Sequence, residues 1–520
     1  MKKIYKRILP LSMIFCLLAC ADLDLVNPNA ATEDSFWQTE QDLYQGVIAT
    51  YDYLQATFDE GSYGLELRVF PQLLSDEGTN EAPWEFNDLA RFVQDDLNMF
   101  GNIYTGGYRM IGRAYQVIDR AEGISGSQVL RLVAEAKFFV ALGYYNLLTG
   151  FGDRIPFVDR IQGADEKPMP ATAGQLWAMI ETYLTDAIPA LPLASEVGVL
   201  DYGRISKGSA QTLLAKIYLQ QGNYTAAEPL LAAVVNSGQY QLLADFSENF
   251  RETDQVNPEA VFHVNFLHNG IEGETDNSAH WRFNSPSEIK GHYGDVQSTN
   301  FVLNSFLQEL DADGNQDPRM DRTLFWEGSS LLMYGLTHAG WISAAEPANP
   351  DVNHGYYKYN ESEFVGSSQD ALRSDGGIDF LVWRYADVLL LYAETLNQNG
   401  NTAAAYQYVD EVRVRSNMSP LSVVAPGLSQ ADFLQQIKHE RLMELAGEGI
   451  RWFDQKRWGD YGPSASGDHF IPSTGTSVAG DPNFNDPITG KGFTVGQDEL
   501  FAIPQNELDL NPNLIQNPGY

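Results

Sequence analysis

Trp84 sits in Asn80-Glu81-Ala82-Pro83-Trp84-Glu85-Phe86-Asn87-Asp88, surrounded by amides and carboxylates. Trp281 has Arg282 and Asn284 beside it, and Tyr293, Trp326 and Trp341 follow along the chain. A sugar ring offers apolar C–H faces bordered by hydroxyls. A protein holds such a ring by stacking an aromatic side chain on the face and hydrogen-bonding the rim through amides, carboxylates or guanidinium groups. Residue types suited to such a contact occur at Trp84 and in the stretch from Trp281 to Trp341. Trp84 and Trp281 lead them because polar residues flank both. Trp177, Trp383 and Trp452 fall in helical patterns and read as core.

Other chemistry is thinly supplied. Asp311-Ala312-Asp313-Gly314-Asn315-Gln316-Asp317 alternates oxygen ligands as a calcium loop does, but it lacks Gly at the sixth position and has Arg322 where the twelfth needs Glu. It reads as a polar loop, and no metal site is assigned. There is no His-Glu-x-x-His, no Gly-x-Ser-x-Gly and no Gly-Lys-Ser/Thr phosphate loop. The expectation is a protein with no catalytic residues and no cofactor. A carboxylate pair for glycoside hydrolysis carries no motif, so a hydrolase stays as an alternative.

The first residues carry a different signal. Lys2, Lys3, Lys6 and Arg7 precede an apolar run, Ile8 to Ala19, that is too short to span a bilayer. The run ends Leu17-Leu18-Ala19-Cys20, which resembles a bacterial lipobox. The spacing predicts a signal peptide over 1–19, a lipidated Cys20 and a tether over 20–31. Cys16 and Cys20 are the only cysteines, so a mature fold has no disulfide. The formal charge is −36, and loss of four cations and no acid with residues 1–19 takes it to −40. Such a field repels nucleic acid and favours a neutral ligand over a polyanionic one.

These residues need a scaffold, and the periodicity supplies a helical one over 32–520. Thr32 is placed to cap a helix whose Leu43, Val47, Tyr51 and Leu54 recur at three and four residues. Tyr104, Tyr108, Ile111, Tyr115 and Ile118 form a second stripe. Leu130, Ala134, Phe138, Ala141, Tyr145 and Leu148 form a third, stopped at Gly150-Phe151-Gly152. Thr172 caps a fourth through Leu176, Ile180 and Leu184. Ala215–Ala227 (AKIYLQQGNYTAA) and Ala393–Ala405 (AETLNQNGNTAAA) both read as helix, Gly turn and helix, like the tetratricopeptide unit in a degenerate array. Over about 248–379 the composition turns to Gly, Asn, Ser, Asp and Trp, a loop-rich insertion with minor β structure. Val261 to Phe266 alternates as a strand with Phe262, Val264 and Phe266 on one face. Residues 459–496 read as loop.

The motifs in order resemble the SusD/RagB family. Thr32-Glu33-Asp34-Ser35-Phe36-Trp37 opens the likeness, which runs from Cys20 to Tyr520. Ala134-Glu135-Ala136-Lys137-Phe138-Phe139, Tyr144-Tyr145-Asn146-Leu147 and Phe151-Gly152-Asp153-Arg154-Ile155-Pro156 follow. Gly203-Arg204-Ile205-Ser206-Lys207-Gly208, the helix Arg384 to Glu394, and Glu440-Arg441 through Arg451-Trp452-Phe453-Asp454 continue it. Ile503-Pro504-Gln505 and Gln516-Asn517-Pro518-Gly519-Tyr520 close it. Val140 stands where the family usually has Arg, and Gln455 where it has Leu. Glu440, Arg441, Glu444, Arg451, Asp454 and Arg457 read as an internal ion-pair network built from charges three or four apart. Asp317-Pro318-Arg319, another family hallmark, is expected to order a loop.

The resemblance implies a surface-exposed lipoprotein of the outer membrane. It would bind oligosaccharides and deliver them to a SusC-like TonB-dependent transporter, anchored by lipid at Cys20. It also implies a glycan site in the Trp84 region and the central insertion, with Trp84, Asn87, Trp281, Arg282, Asn284, Tyr293, Trp326 and Trp341 as the candidate contacts. A helical-repeat scaffold that binds only protein is the remaining alternative.

Overall fold

The computed structural model describes residues 36–55, 63–80, 85–90, 92, 98–163, 165–252, 256–266, 296–333, 335–345, 354–360, 377–460 and 493–520. Helices dominate. The first half holds α1 (Glu40–Gln55), α2 (Tyr63–Leu73), the short strand β1 (Gly78–Thr79) and α3 (Glu85–Ala90). Then come α4 (Gly101–Arg120), α5 (Val129–Phe151), α6 (Ala173–Ala187), α7 (Lys207–Gln220) and α8 (Tyr224–Val235).

Local chemistry sets these boundaries. Ahead of α1, Thr39 Oγ1 accepts from the Asp42 N–H while Asp42 Oδ2 accepts from the Thr39 N–H, a reciprocal cap. The helix thus starts behind Thr39; Thr32, the expected cap, lies outside the described residues. Thr172 caps α6 as expected, paired with Gln175. Leu43, Val47 and Leu54 of α1 are buried, and Tyr51 is half-buried. In α5 the reading needs one correction. Leu130 is 76 % exposed at the first turn, whereas nearly every residue from Leu132 onward is buried. That marks α5 as a central helix covered on all sides rather than an amphipathic surface one. Its contact with α4 is close: a Cβ on Gly143 would lie 2.8 Å from Ile111 Cγ1.

The second half begins with the insertion. It contains β2 (Ala260–Val264), β3 (Gln297–Ser298), α9 (Asn300–Phe306) and α10 (Pro318–Thr323). β4 (Leu324–Phe325), α11 (His338–Ala345), β5 (Gly355–Tyr356) and β6 (Phe380–Arg384) complete it. The helices resume with α12 (Tyr385–Gln398), α13 (Thr402–Arg415), α14 (Gln430–Leu445) and α15 (Arg451–Trp458). The two sequence repeats are indeed equivalent. α7 and α8 are joined through Gly222 (φ +67°), α12 and α13 through Gly400 (φ +84°), left-handed positions where a side chain would be strained. α8 packs on α12, so the two hairpins stack although far apart in sequence. Burying residues such as Leu213, Leu231 and Leu389 contributes about 1.5–3 kcal/mol each to this stacking.

Two strand expectations change. β2 carries bulges between Ala260 and His263, so Val261, Phe262, His263 and Val264 are all buried and the alternating faces are lost. Its partner β6 occupies the residues before Tyr385, and Trp383 is therefore a buried strand residue, not a helical one. Among the described residues no helix is long and apolar enough to cross a membrane.

Candidate functional site

Three two-stranded antiparallel ladders collect the roots of the candidate ligand loops. β1 pairs with β3, Gly78 against Ser298 and Thr79 against Gln297. This joins the segment that runs on to Trp84 with the one that comes from Tyr293. β2 pairs with β6 and leads into the segment containing Trp281, Arg282 and Asn284. β4 pairs with β5, Leu324 against Tyr356 and Phe325 against Gly355, and closes off the stretch from Trp326 to Trp341.

Further bonds lock the ladders together. The Glu77 carbonyl accepts from Tyr356 Oη (2.8 Å) and from the Thr299 N–H (3.2 Å). Thr299 Oγ1 donates to the Asp76 carbonyl at 2.7 Å. Ser298 Oγ lies 2.7 Å from His354 Nδ1, and Asn300 Oδ1 lies 2.8 Å from His354 Nε2. Burial pushes His354 down to about 4, so its imidazole is neutral. This hydroxyl–imidazole–amide chain has no access to a substrate, because Ser298 and His354 are both 0 % exposed. It fastens β3 to β5.

Charges below the ladders are spent on structure. Arg451 donates from Nε and Nη2 to the two oxygens of Asp76, both at 2.8 Å. Arg384, at the start of α12, bonds Glu448 twice at 2.9 Å, Glu259 at 2.8 Å and Glu444 at 2.5 Å. Lys358 adds a 2.9 Å bond to Glu448. Arg319 joins Asp317 (2.7 Å) to Glu440 (2.5 Å) and Glu444 (3.1 Å). Burial alone would raise the Glu444 carboxyl, but Arg415, Arg384 and Arg319 hold it well below the usual range. A second chain runs Lys216–Asp387 (2.8 Å), Asp387–Arg441 (2.8 Å), Arg441–Asp454 (2.7 Å) and Asp454–Arg457 (2.9 Å), ending on Glu394.

The expected internal network exists, with a correction to its wiring. Of the six predicted residues only Asp454 and Arg457 pair at a spacing of three. Arg441 pairs with Asp454, also among the six but thirteen residues on; the remaining partners come from distant segments, and Asp317-Pro318-Arg319 plugs into the network rather than merely shaping a loop. Arg384, Lys358, Glu259, Arg413 and Arg415 were not singled out by sequence, since nothing local marks partners so remote. In the Asp311 loop, Asp311 Oδ1 accepts from the N–H groups of Asp313 (3.0 Å) and Asn315 (2.8 Å), and Asn417 Nδ2 bonds Asp311 and Asp313. Its carboxylates serve their own chain.

The candidate contacts divide clearly. Cys20, Trp84, Trp281, Arg282, Asn284 and Tyr293 lie outside the described residues, as does the side chain of Asn87 on α3. Trp326 is half-buried, and its Nε1 donates to Asp321 Oδ1 at 2.9 Å. Trp341 is a correction. It is 0 % exposed, edge-on to Phe325 with ring centroids 6.2 Å apart, and so offers no stacking face. The loop-like composition around it concealed a helix, α11, whose inner face it occupies. Trp452 is core as expected, while Trp177 is only partly buried against the core.

The chain matches the SusD family model over residues 258–520. A second model, described as starch-binding and associating with the outer membrane, matches residues 24–219. The chain belongs to the SusD family, and like that family it is a non-catalytic protein. SusD-like protein P2 of Formosa agariphila is 27% identical over 538 residues, covering 98% of this chain and 98% of its own. SusD-like protein P25 of the same organism is 25% identical over 492 residues, 88% of this chain and 90% of its own. Among solved structures, a SusD superfamily protein from Bacteroides vulgatus superposes with a TM-score of 0.76 at 21% identity, over 93% of this chain and 100% of its own.

Proposed function

We propose that this protein is a lipid-anchored outer-membrane receptor. It captures neutral oligosaccharides and passes them to a TonB-dependent, SusC-like transporter. Trp84 and Trp281 supply the stacking faces, and Asn87, Arg282, Asn284, Tyr293 and Trp326 line the approach. The observation that supports this reading is the β1–β3 ladder, which pairs Gly78–Thr79, shortly before Trp84 in sequence, with Gln297–Ser298, shortly after Tyr293. Loops held by a stiff scaffold are where ligand contacts are made. Family membership supports the ligand class.

A glycan array followed by calorimetry tests it. Neutral oligosaccharides are expected to bind at roughly micromolar to millimolar Kd, as befits an open and wet site. Binding confined to sulfated or uronic glycans would sink the neutral-ligand reading.

Two further measurements test placement. Cys20→Ala is expected to release the protein from membranes, and continued fractionation with membranes plus palmitate labelling would refute the anchor. Affinity purification from native membranes in mild detergent should recover a large β-barrel partner, and recovery of monomer alone, with glycan present, would refute the transporter.

A further inference from the structure

Tyr202, Gly203, Arg204 and His263 form a wall shared by two cavities of about 250 and 180 Å3. The larger is rimmed by Ser195, Gln239 and Asn257, the smaller by Tyr44, Gln55 and Asn265. None of these residues belongs to the site proposed above.

The wall is built rather than incidental. Gly203 has φ +92°, and a Cβ there would lie 2.6 Å from Asn265 Nδ2. That amide donates to the Tyr202 carbonyl at 2.7 Å, and Gln55 Nε2 donates to the Asn265 carbonyl at 2.8 Å. Tyr202 is half-buried with its ring centroid 4.4 Å from that of His263, and its hydroxyl accepts from the Asn257 N–H at 3.0 Å. The Arg204 guanidinium lies 5.1 Å from the Tyr44 ring centroid.

Charge narrows the occupant. Arg204 is bonded to Glu135 (2.8 Å) and Asp201 (3.1 Å), and Arg131 reaches the same two carboxylates. Two cations meet two anions, so the wall has no cation to spare for a phosphate, sulfate or uronate. His263 is buried, which drives its imidazole down to about 4 and leaves it neutral. Polarity narrows it further. His263 and Asn265 are hydrogen-bonded to each other through their side chains, and the Tyr202 ring with its hydroxyl lies beside His263. A tyrosine hydroxyl at the margin of an aromatic face favours an occupant that brings hydroxyls over one that is purely apolar. Ile48, Val199, Leu200 and Val256 stand exposed around the mouths, apolar edges suited to C–H faces.

We propose that this double cavity is an accessory carbohydrate subsite, taking neutral sugar units against the Tyr202 ring with Gln239 and Gln55 at its margins. It rests on the oligosaccharide reading above and gives long glycans a second point of attachment. A half-buried aromatic ring with amides at its margin is a saccharide-binding arrangement on its own.

The test uses the full chain with maltohexaose, cellohexaose and laminarihexaose as probes, read by calorimetry and by hydroxyl-radical footprinting of Tyr202. Ser195→Trp blocks the larger cavity from an exposed rim position, and Tyr202→Ala removes the ring while Tyr202→Phe keeps it. A probe that binds is expected to protect Tyr202, and both Ser195→Trp and Tyr202→Ala should weaken binding about three- to ten-fold, with Tyr202→Phe close to wild type. In a Trp84→Ala/Trp281→Ala background, weak residual binding should persist and vanish on adding Ser195→Trp. Undiminished binding by Ser195→Trp with no protection of Tyr202 overturns the subsite and leaves the main site standing. Protection of Tyr202 with no effect of the Trp84 and Trp281 changes upholds the subsite and overturns the main placement. Failure of the wild type to bind any probe overturns both.

Discussion

Arg384 holds Glu448 by two parallel hydrogen bonds, Nε to Oε2 and Nη2 to Oε1, both 2.9 Å long, with neither side chain exposed by more than a few per cent. The same guanidinium reaches Glu259 and Glu444, so one cation at the β6–α12 junction serves three carboxylates. Removing one partner of a buried ion pair strands the other. Arg384→Met is therefore expected to destabilise the fold by at least about 3–5 kcal/mol. Urea unfolding would measure it, and a loss within 1 kcal/mol would show that the network carries little.

The pH dependence has two limbs of opposite sign. Burial alone would raise Asp387, yet Lys216 and Arg441 bring it to about 2, and Glu444 is held low by its arginines. Depressed carboxylates contribute stability that is present above the ordinary carboxylate range and lost as pH falls through their folded values. Acid unfolding should therefore set in below about pH 4 and deepen towards pH 2. Glu77 behaves oppositely. Burial, then the neighbouring Asp76, raises it to about 8. The protonated form suits the fold, so stability declines as pH rises from 4.5 towards about 8. Glu77→Gln should flatten that upper limb and leave the acid limb unchanged. Thermal melts of both proteins from pH 3 to 9 would decide it, and parallel curves above pH 5 would remove Glu77 from the explanation.

Local patterning made the helices legible, because a buried face must recur every three or four residues whatever it packs against. Thr172 and the Gly222 and Gly400 turns were readable for the same reason, since caps and left-handed glycines act within a few residues. The ladders were not. β1, β3, β4 and β5 are two-residue strands held by partners far along the chain, with no room for an alternating pattern. Glu440 and Glu444 looked as if they would pair along their own helix, whereas Arg319, Arg413 and Arg384 arrive from elsewhere. Gln455, which departs from the family's usual Leu, lies fully buried with both amide atoms unpartnered. A departure that looks minor in sequence thus places an orphan amide in the core.

The tryptophans should separate by what their loss does. Trp341 fills a core position, so Trp341→Ala leaves a large void and is expected to lower stability by about 3–5 kcal/mol. Trp84→Ala and Trp281→Ala are expected to lower oligosaccharide affinity while shifting stability by less than about 0.5 kcal/mol, the range for surface changes. Unfolding midpoints and calorimetry on the three variants give the comparison. Loss of stability in Trp84→Ala equal to that in Trp341→Ala would make Trp84 a core residue.

Gly78 offers a test of whether the scaffold positions the proposed ligand contacts. It pairs with Ser298 in the β1–β3 ladder, and a Cβ added there would lie 2.5 Å from the Gln72 carbonyl oxygen. That neighbour is backbone and cannot rotate away, so Gly78→Ala must push β1 off its place and loosen the Thr79–Gln297 pair beyond it. Overpacking of this kind costs about 1–3 kcal/mol, which a core this extensive should survive. The larger consequence is expected in the segment that follows β1. On the proposal that Trp84 stacks on the ligand, displacing the strand before it should lower affinity about ten-fold or more, equivalent to ~1.4 kcal/mol. Thr79→Ser, which keeps the backbone pairing, is expected to bind as the wild type does. Calorimetry with a neutral oligosaccharide that binds the wild type, run beside a thermal melt, measures both effects. A Gly78→Ala protein that melts lower yet binds with unchanged affinity would mean that the ladder stabilises the fold without positioning the site.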